Sequence, residues 1–422
     1  MLLSIKNLGK IETANIEING ITIIAGENNS GKSTVGKTLF CIFNSFYKID
    51  SRIEAERFSA VSREIESAYY YNVSGRFAQR FDVDELAETI MANKNMYVND
   101  ELSLQQDIKN FLIQNDPNFE KHLEKTKLDS VAEKIVRIFN ISDDEVLTTI
   151  LRKKMQAEFN MQINNLHDIN TISEIMLKIK DTDITIRVKN NKDINISNNL
   201  SLDTEVIYID NPYAMDNLRY PLAKHQNRNY STHREHLTMC LADIKVKGAL
   251  DEIIASKKLD KVLEKLNTVC SGKIVRNNRS FAYMENSDVS IDIVNVSTGL
   301  KTFAIIKTLL LNGSLEENGS IVLDEPEIHL HPEWQLIFAE LIVLIQKEFN
   351  MHILINTHSP YFLDAVEVYS HKHGIASKCK YYLAEVSGTT SVISDVSNNI
   401  EKIYEKLARP LQVLENERYS DD

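Results

Sequence analysis

Gly26-Glu27-Asn28-Asn29-Ser30-Gly31-Lys32-Ser33-Thr34 fills every fixed position of the pattern G-x-x-x-x-G-K-[ST]. Before it, Gly20-Ile21-Thr22-Ile23-Ile24-Ala25 is apolar and β-branched, the composition of a buried strand. After it, Val35, Leu39, Ile42, Phe43 and Phe46 recur at helical spacing, which predicts a helix to about residue 47. Strand, glycine-rich loop and helix together make a phosphate-binding turn. Gly26 and Gly31 let the backbone curl so that successive N–H groups, from Asn28, Asn29 and Ser30 through to Thr34, face the phosphates. The helix N-terminus adds partial positive charge. Lys32 would reach the β- and γ-phosphates, and the Ser33 hydroxyl would hold Mg²⁺.

The 422 residues carry a net charge of −12, so bulk electrostatics does not indicate nucleic acid, although a local basic face stays open. No run of about 18 apolar residues predicts a membrane span, and Met1-Leu2-Leu3-Ser4-Ile5-Lys6 lacks the apolar core of a signal peptide. Cys41, Cys240, Cys270 and Cys379 are scattered without metal-ligand spacing, as expected of reduced thiols in a cytoplasmic protein.

Residues 2–6 and 15–18 read as short strands beside the one at 20–25. From about 55 to 180 the pattern is helical, with Asp84-Glu85 as helix-start chemistry and an apolar face at Val131, Ile135 and Phe139. Ile184, Ile186 and Val188, then Ile194 and Ile196, alternate around Asn190-Asn191, predicting a hairpin. Val206-Ile207-Tyr208-Ile209 reads as a buried strand, 233–268 as helical with a break near Gly248, and 273–294 as short strands. Between Lys32 and Ser297 lie 297 − 32 = 265 residues, more than a compact nucleotide-binding lobe needs. The expected organisation is therefore a lobe in two parts, 1–55 and 201–422, with a mainly helical insertion at 56–200 ending in the hairpin.

The second part carries three more motifs. Ser320-Ile321-Val322-Leu323-Asp324-Glu325-Pro326 is an apolar strand ending in two carboxylates: Asp324 is placed to order a Mg²⁺ shell, Glu325 to polarise a lytic water. Met351-His352-Ile353-Leu354-Ile355-Asn356 is a further buried strand, ending at Thr357-His358-Ser359-Pro360. A neutral imidazole at His358 can donate one hydrogen bond and accept another, which suits a γ-phosphate sensor. Val296-Ser297-Thr298-Gly299-Leu300-Lys301 precedes a strong helix, with Ser297 at the N-cap position. A serine hydroxyl, the Gly299 N–H and a helix N-terminus make an anion-binding corner.

Taken together, the P-loop, S-x-G-x-K before a helix, D-E-P after a strand and T-H-S-P resemble the ABC-type ATPase heads of the SMC/RecF group. The run Leu323-Asp324-Glu325-Pro326-Glu327-Ile328-His329-Leu330-His331-Pro332 looks most like the OLD-like branch, whose ATPases are common in bacterial anti-phage systems such as Septu, PARIS and the retrons. The resemblance covers about 1–55 and 201–400. It implies an α/β P-loop head, a mixed sheet flanked by helices, that pairs head to tail as a homodimer or higher oligomer. ATP is then sandwiched between the P-loop of one copy and Ser297–Gly299 of the other. It implies Lys32, Glu325 and His358 as catalytic groups, Ser33 and Asp324 as the Mg²⁺ residues, and hydrolysis as a conformational switch.

Val296 and Leu300 depart from the usual signature residues, so slow or trigger-dependent turnover is expected. No glutamine is assignable to a Q-loop; Asp210-Asn211 follow the strand where it would lie. His329 and His331 have the look of a metal pair, but the resemblance assigns them to the turn beyond Glu325. The OLD nucleases add a Toprim domain, and 422 − 360 = 62 residues after Pro360 are too few for one. Any nuclease or toxin activity is therefore expected on a separate effector protein. The competing reading, a DNA-repair or chromosome-maintenance ATPase of RecF/SMC type, predicts DNA-stimulated hydrolysis and a basic groove.

Overall fold

Six consecutive buried residues, Ile21–Gly26, form the strand that carries the P-loop, and the reason is its position. It lies inside an eleven-stranded sheet with parallel neighbours on both sides, so both faces need apolar side chains. The computed structural model describes residues 1–72, 83–115, 125–168, 170–198, 200–218, 231–243, 249–277, 280–286 and 289–419.

In chain order the strands are β1 (Leu2–Leu8), β2 (Ile11–Glu17), β3 (Ile21–Gly26), β4 (Ser173–Ile179), β5 (Thr182–Lys189), β6 (Asp193–Ile196), β7 (Val206–Ile209), β8 (Lys273–Asn277), β9 (Ser280–Asn286), β10 (Val289–Asp292), β11 (Ser320–Asp324), β12 (His352–Thr357), β13 (Cys379–Ser387) and β14 (Thr390–Asp395). The helices are α1 (Lys32–Phe46), α2 (Ile49–Asn72), α3 (Val83–Ala92), α4 (Lys94–Tyr97), α5 (Glu101–Asn115), α6 (Lys125–Asn140), α7 (Asp143–Glu158), α8 (His233–Ala242), α9 (Ala249–Asn267), α10 (Thr298–Leu311), α11 (Pro332–Phe349), α12 (Pro360–Lys372) and α13 (Glu401–Tyr419).

The main sheet runs β6-β5-β4-β1-β2-β14-β13-β3-β12-β11-β7. From β13 to β7 every pairing is parallel, and from β6 to β2 every pairing is antiparallel. β8, β9 and β10 form a separate antiparallel sheet. The parallel strands put their carboxyl ends on one edge, where the chain turns into loops and helix N-termini, and in open α/β sheets that edge is where ligands bind. Ile23, Ile355, Leu323, Phe303 and Phe338 belong to the core that packs one face of this region.

The chain divides into two compact units, Met1–Tyr47 with Ile150–Asp422, and Lys48–Thr149. Among the described residues the elements of the second are all helices, and it has its own core, in which Val61, Ile65, Leu86, Ile90, Leu104, Ile108, Ile135 and Phe139 are buried. Arg57, almost fully buried there, donates to the Ile141 carbonyl at 2.8 Å and lies 2.6 Å from Asp143 Oδ1. The inserted helical unit is therefore present, but shorter than the expected 56–200. The correction has a simple cause: β4, inside a stretch read as helical, pairs antiparallel with β1 (Leu3↔Leu177, Ile5↔Ile175) and brings the β5–β6 hairpin into the head's own sheet. The expected break near Gly248 and the turn residues Asn278, Ser287 and Asp288 lie outside the described residues. Among the described residues no helix is long and apolar enough to cross a membrane, and all four cysteines are buried and outside any disulfide.

Candidate functional site

β3 ends at Gly26, whose backbone lies so close to β13 that a Cβ there would fall 2.4 Å from the Ala384 carbonyl oxygen. Gly31, with φ of 88°, turns the loop into α1 in the left-handed region, and a Cβ would meet Ile11 Cγ1 at 2.8 Å. These two glycines give the loop its curl. Val35, Leu39, Ile42, Phe43 and Phe46 are all buried, as the helical spacing predicts.

Lys32 is only 4% exposed. Its ammonium donates to the carbonyls of Gly26 (3.0 Å) and Glu27 (2.8 Å) and lies 3.9 Å from Glu325 Oε1. Burial pulls its pKa down, against the pull of Glu325 and Asp324. Ser33 and Asn29 are exposed, while Ser30 Oγ is buried without a hydrogen-bond partner. A cleft of about 350 Å³ opens over the loop, walled by Asn29, Ser30, Gly31, Lys32, Ser33, Thr34 and Lys37, by Gly9 and Lys10, by Glu158, Phe159, Asn160, Gln162 and Leu166, and by Glu325. Asn28 is exposed and is not one of its walls.

Asp324 and Glu325 stand at the carboxyl end of β11. Asn356 Nδ2 donates to Asp324 Oδ1 and Tyr208 Oη to Asp324 Oδ2, both at 2.8 Å. Glu325 has φ of 50°, a left-handed conformation that costs a non-glycine residue about 1–3 kcal/mol. Its N–H donating to the Asn356 carbonyl at 2.8 Å holds it there. So placed, Glu325 Oε1 is 3.3 Å from His358 Nδ1 as well as 3.9 Å from Lys32 Nζ. A cavity of about 30 Å³ beside it is bordered by Asp210, Asn211, Thr302, Asp324, Glu325 and His329. Asp210 thus stands where a Q-loop residue was sought.

Glu327, absent from the sequence-derived site, is buried and accepts from Thr357 Oγ1, and from the His358 N–H at 3.4 Å. Burial raises its pKa. It anchors the His358 turn to the Asp324–Glu325 turn, and its place in the D-E-P-E run was the only available signal. Tyr208, His233 and Asn356 were also missed, since only strand pairing brings Tyr208 and Asn356 to Asp324 and only helix packing brings His233 to Tyr208.

Ser297 caps α10 by position, but its side chain makes no capping hydrogen bond and is exposed. Gly299 is buried against the turn after Glu325, where a Cβ would sit 3.0 Å from the His329 carbonyl oxygen and 3.2 Å from the Trp334 ring. Neither residue walls the P-loop cleft of its own chain.

His329 packs edge-on against Tyr213, and His331 is the N-cap of α11. Among the described residues one group, Glu205, His236 and Cys240, gathers three ligand-type side chains. There His236 Nε2 lies 2.9 Å from Glu205 Oε2, while Cys240 Sγ is 3.8 Å from Nδ1 and 3.7 Å from Nε2. Near-equal distances place the sulfur over the imidazole face, off both lone-pair axes, which is a packing contact rather than a ligand geometry.

The profile of the AAA ATPase domain family matches residues 1–363. Over 141 residues, 30% of this chain and 24% of that one, the sequence is 28% identical to the Retron Ec83 probable ATPase of Escherichia coli. Over 132 residues, 29% of this chain and 25% of that one, it is 29% identical to the Retron Vc95 probable ATPase of Vibrio cholerae. The matches thus span about a quarter of each curated relative's length. Among solved structures, the SMC head domain from Thermotoga maritima aligns with a TM-score of 0.38 and 10% identity, over 94% of this chain and 98% of that one.

Proposed function

The chain belongs to the AAA ATPase domain family, and on that premise we propose that it hydrolyses ATP, with Mg²⁺, between two head-to-tail copies of itself, as the sensor and regulatory subunit of a bacterial anti-phage defence system with a separate effector. The observation that carries the ATPase reading is the position of Glu325. Its carboxylate stands between Lys32 and His358, at 3.9 and 3.3 Å, on the edge of the P-loop cleft.

The chemistry follows from these groups. Lys32 spends two of its three donors on loop carbonyls and keeps one for a phosphate oxygen. The unpartnered Ser30 hydroxyl and the N–H groups that follow it fit an anion. Ser33, exposed in the first turn of α1, and Asp324, oriented by two hydrogen bonds, fit Mg²⁺. Held by Ser33 and Asp324, such an ion would neutralise phosphate charge. The cavity beside Glu325 has room for one water. Glu325, which also walls the P-loop cleft, takes a proton from the attacking water, and His358 holds the γ-phosphate oxygens.

The dimer reading draws on Ser297. Its hydroxyl is exposed, caps nothing and lies outside the cleft of its own chain, so a phosphate contact by Ser297 calls for a second copy. Two-fold symmetry then gives two composite sites. The defence reading draws on the two relatives named as retron ATPases, each matched over about a quarter of its length. An affinity pull-down of the Glu325→Gln protein from its native host, with ATP and Mg²⁺, tests it. A stoichiometric nuclease, toxin or other effector is the expected result. A homodimer that brings down only DNA would overturn the defence reading in favour of a RecF-type repair role.

A further inference from the structure

Asp324 is gripped from two sides. On one side Asn356 is its register partner across the parallel β11–β12 pair, which explains the bond to Oδ1. On the other, the hydroxyl of Tyr208, a fully buried β7 residue, takes Oδ2 at 2.8 Å. The tyrosine is itself fixed. Its ring stacks on His233 at 4.4 Å between centroids and 24° between planes. His233, the first residue of α8, is hydrogen-bonded at Nδ1 and has a second carboxylate beside Nε2. Nδ1 lies 2.6 Å from Glu158 Oε1 and Nε2 lies 3.1 Å from Asp210 Oδ2, while its backbone N–H donates to Glu158 Oε2 at 2.9 Å. Arg234 in turn clamps Asp210 at 2.6 and 2.8 Å.

The Nδ1 edge bonds Glu158 and the Nε2 edge faces the Asp210 charge without hydrogen-bond alignment, and two carboxylates so close favour the protonated ring. Burial works against that charge, yet the bonds to Asp210 and Glu158 outweigh it and push the pKa up to about 9. A cation stacked on a phenol face is a favourable contact in a dry site. Burial and the neighbouring Asp324 raise the Tyr208 pKa as well, so the hydroxyl stays a donor. The far end of the chain of contacts, Glu158, borders the P-loop cleft, with Lys37 Nζ at 3.8 Å.

We propose that Tyr208 and His233 are positioning residues for Asp324: the tyrosine hydroxyl fixes the carboxylate that orders the Mg²⁺ shell, and the His233 ring, held between Glu158 and Asp210, fixes the tyrosine. This rests on the ATP-hydrolysing reading of the site. It assigns a task to the position where the Q-loop was sought: Asp210 acts through His233 rather than on the ion.

Tyr208→Phe tests the inference, because it deletes one oxygen and keeps the stack. The readout is the Mg²⁺ concentration that half-saturates the rise in melting temperature with a non-hydrolysable ATP analogue. Binding of the same analogue in EDTA serves as the Mg²⁺-free reference. Loss of an outer-shell partner should raise the half-saturating Mg²⁺ about tenfold, with binding in EDTA unchanged within about twofold. Glu158→Gln should shift it in the same direction by less. The double variant should be no worse than Tyr208→Phe, since Glu158 acts through the hydroxyl. A shift below about threefold in Tyr208→Phe would overturn the proposal, and multiplying effects in the double variant would overturn the link through His233. Wild-type protein that bound no nucleotide in either condition would instead remove the ATPase reading, and this inference with it.

Discussion

Raising the pH should destabilise this protein through His233, and the size of the effect can be worked from its surroundings. The ring is 5% exposed, and its pKa rises from 6.5 to about 9 on folding. A group whose folded pKa exceeds its unfolded value gives stability that is fully present below the unfolded pKa and is lost as pH passes the folded one. The window here runs from about 6.5 to about 9, and the stability at stake is about 3 kcal/mol, at roughly 1.4 kcal/mol per pH unit. Cys41, Cys270 and Cys379 act in the same direction. Burial raises their pKa values, so above about pH 8.5 the unfolded chain loses thiol protons that the folded one keeps. The test is therefore a difference between two proteins. Urea midpoints would be measured from about pH 6.5 to 9.5 for wild type and for Glu158→Gln, which turns one of the two carboxylates on His233 into an amide. Cys270 and Cys379 contribute equally to both, and because Glu158 also raises the Cys41 thiol both proteins carry Cys41→Ala, so the variant should lose less stability across the window, by about 1–2 kcal/mol. Equal losses in the two proteins would refute the assignment of a shared imidazolium.

Three shorter expectations follow from the site. Glu325→Gln should keep ATP binding and slow steady-state hydrolysis by about 10²–10⁴-fold, the range for a lost general base; wild-type turnover would remove Glu325 from that role. Ser297→Ala should leave the urea midpoint unchanged, because the side chain makes no capping bond, while lowering hydrolysis; a cost of about 1 kcal/mol or more would mean it is an ordinary helix cap. Gly299→Ala should destabilise the fold by about 1–3 kcal/mol, since its Cβ would press on the backbone at His329 and on Trp334; an unchanged urea midpoint would show that the turn can give way.

The parts of the site that lie close together in sequence could be read from sequence. The buried run Ile21–Gly26, the two glycines and the apolar spacing of α1 carry their own local geometry, as do the carboxylates that end β11. What escaped depends on distant pairing. β4 lies at the end of a long helical stretch, and only its antiparallel match to β1 shows that it belongs to the main sheet. A hairpin pattern fixes β5 and β6 against each other but says nothing about the sheet they join. Tyr208 and Asn356 become neighbours of Asp324 only through the parallel pairings β7–β11 and β11–β12. His233 heads a helix whose capping box, Thr232 with Glu235, marks the start of α8 and gives no hint that its imidazole lies between Asp210 and Glu158.

The central claim is that two copies close over ATP at a site completed by Glu325. Native mass spectrometry of the Glu325→Gln protein, with and without ATP and Mg²⁺, tests it most directly. The account predicts a dimer carrying two ATP molecules, formed only with nucleotide and abolished by adding Lys32→Ala. A protein that stays monomeric and free of ATP at saturating nucleotide would contradict it.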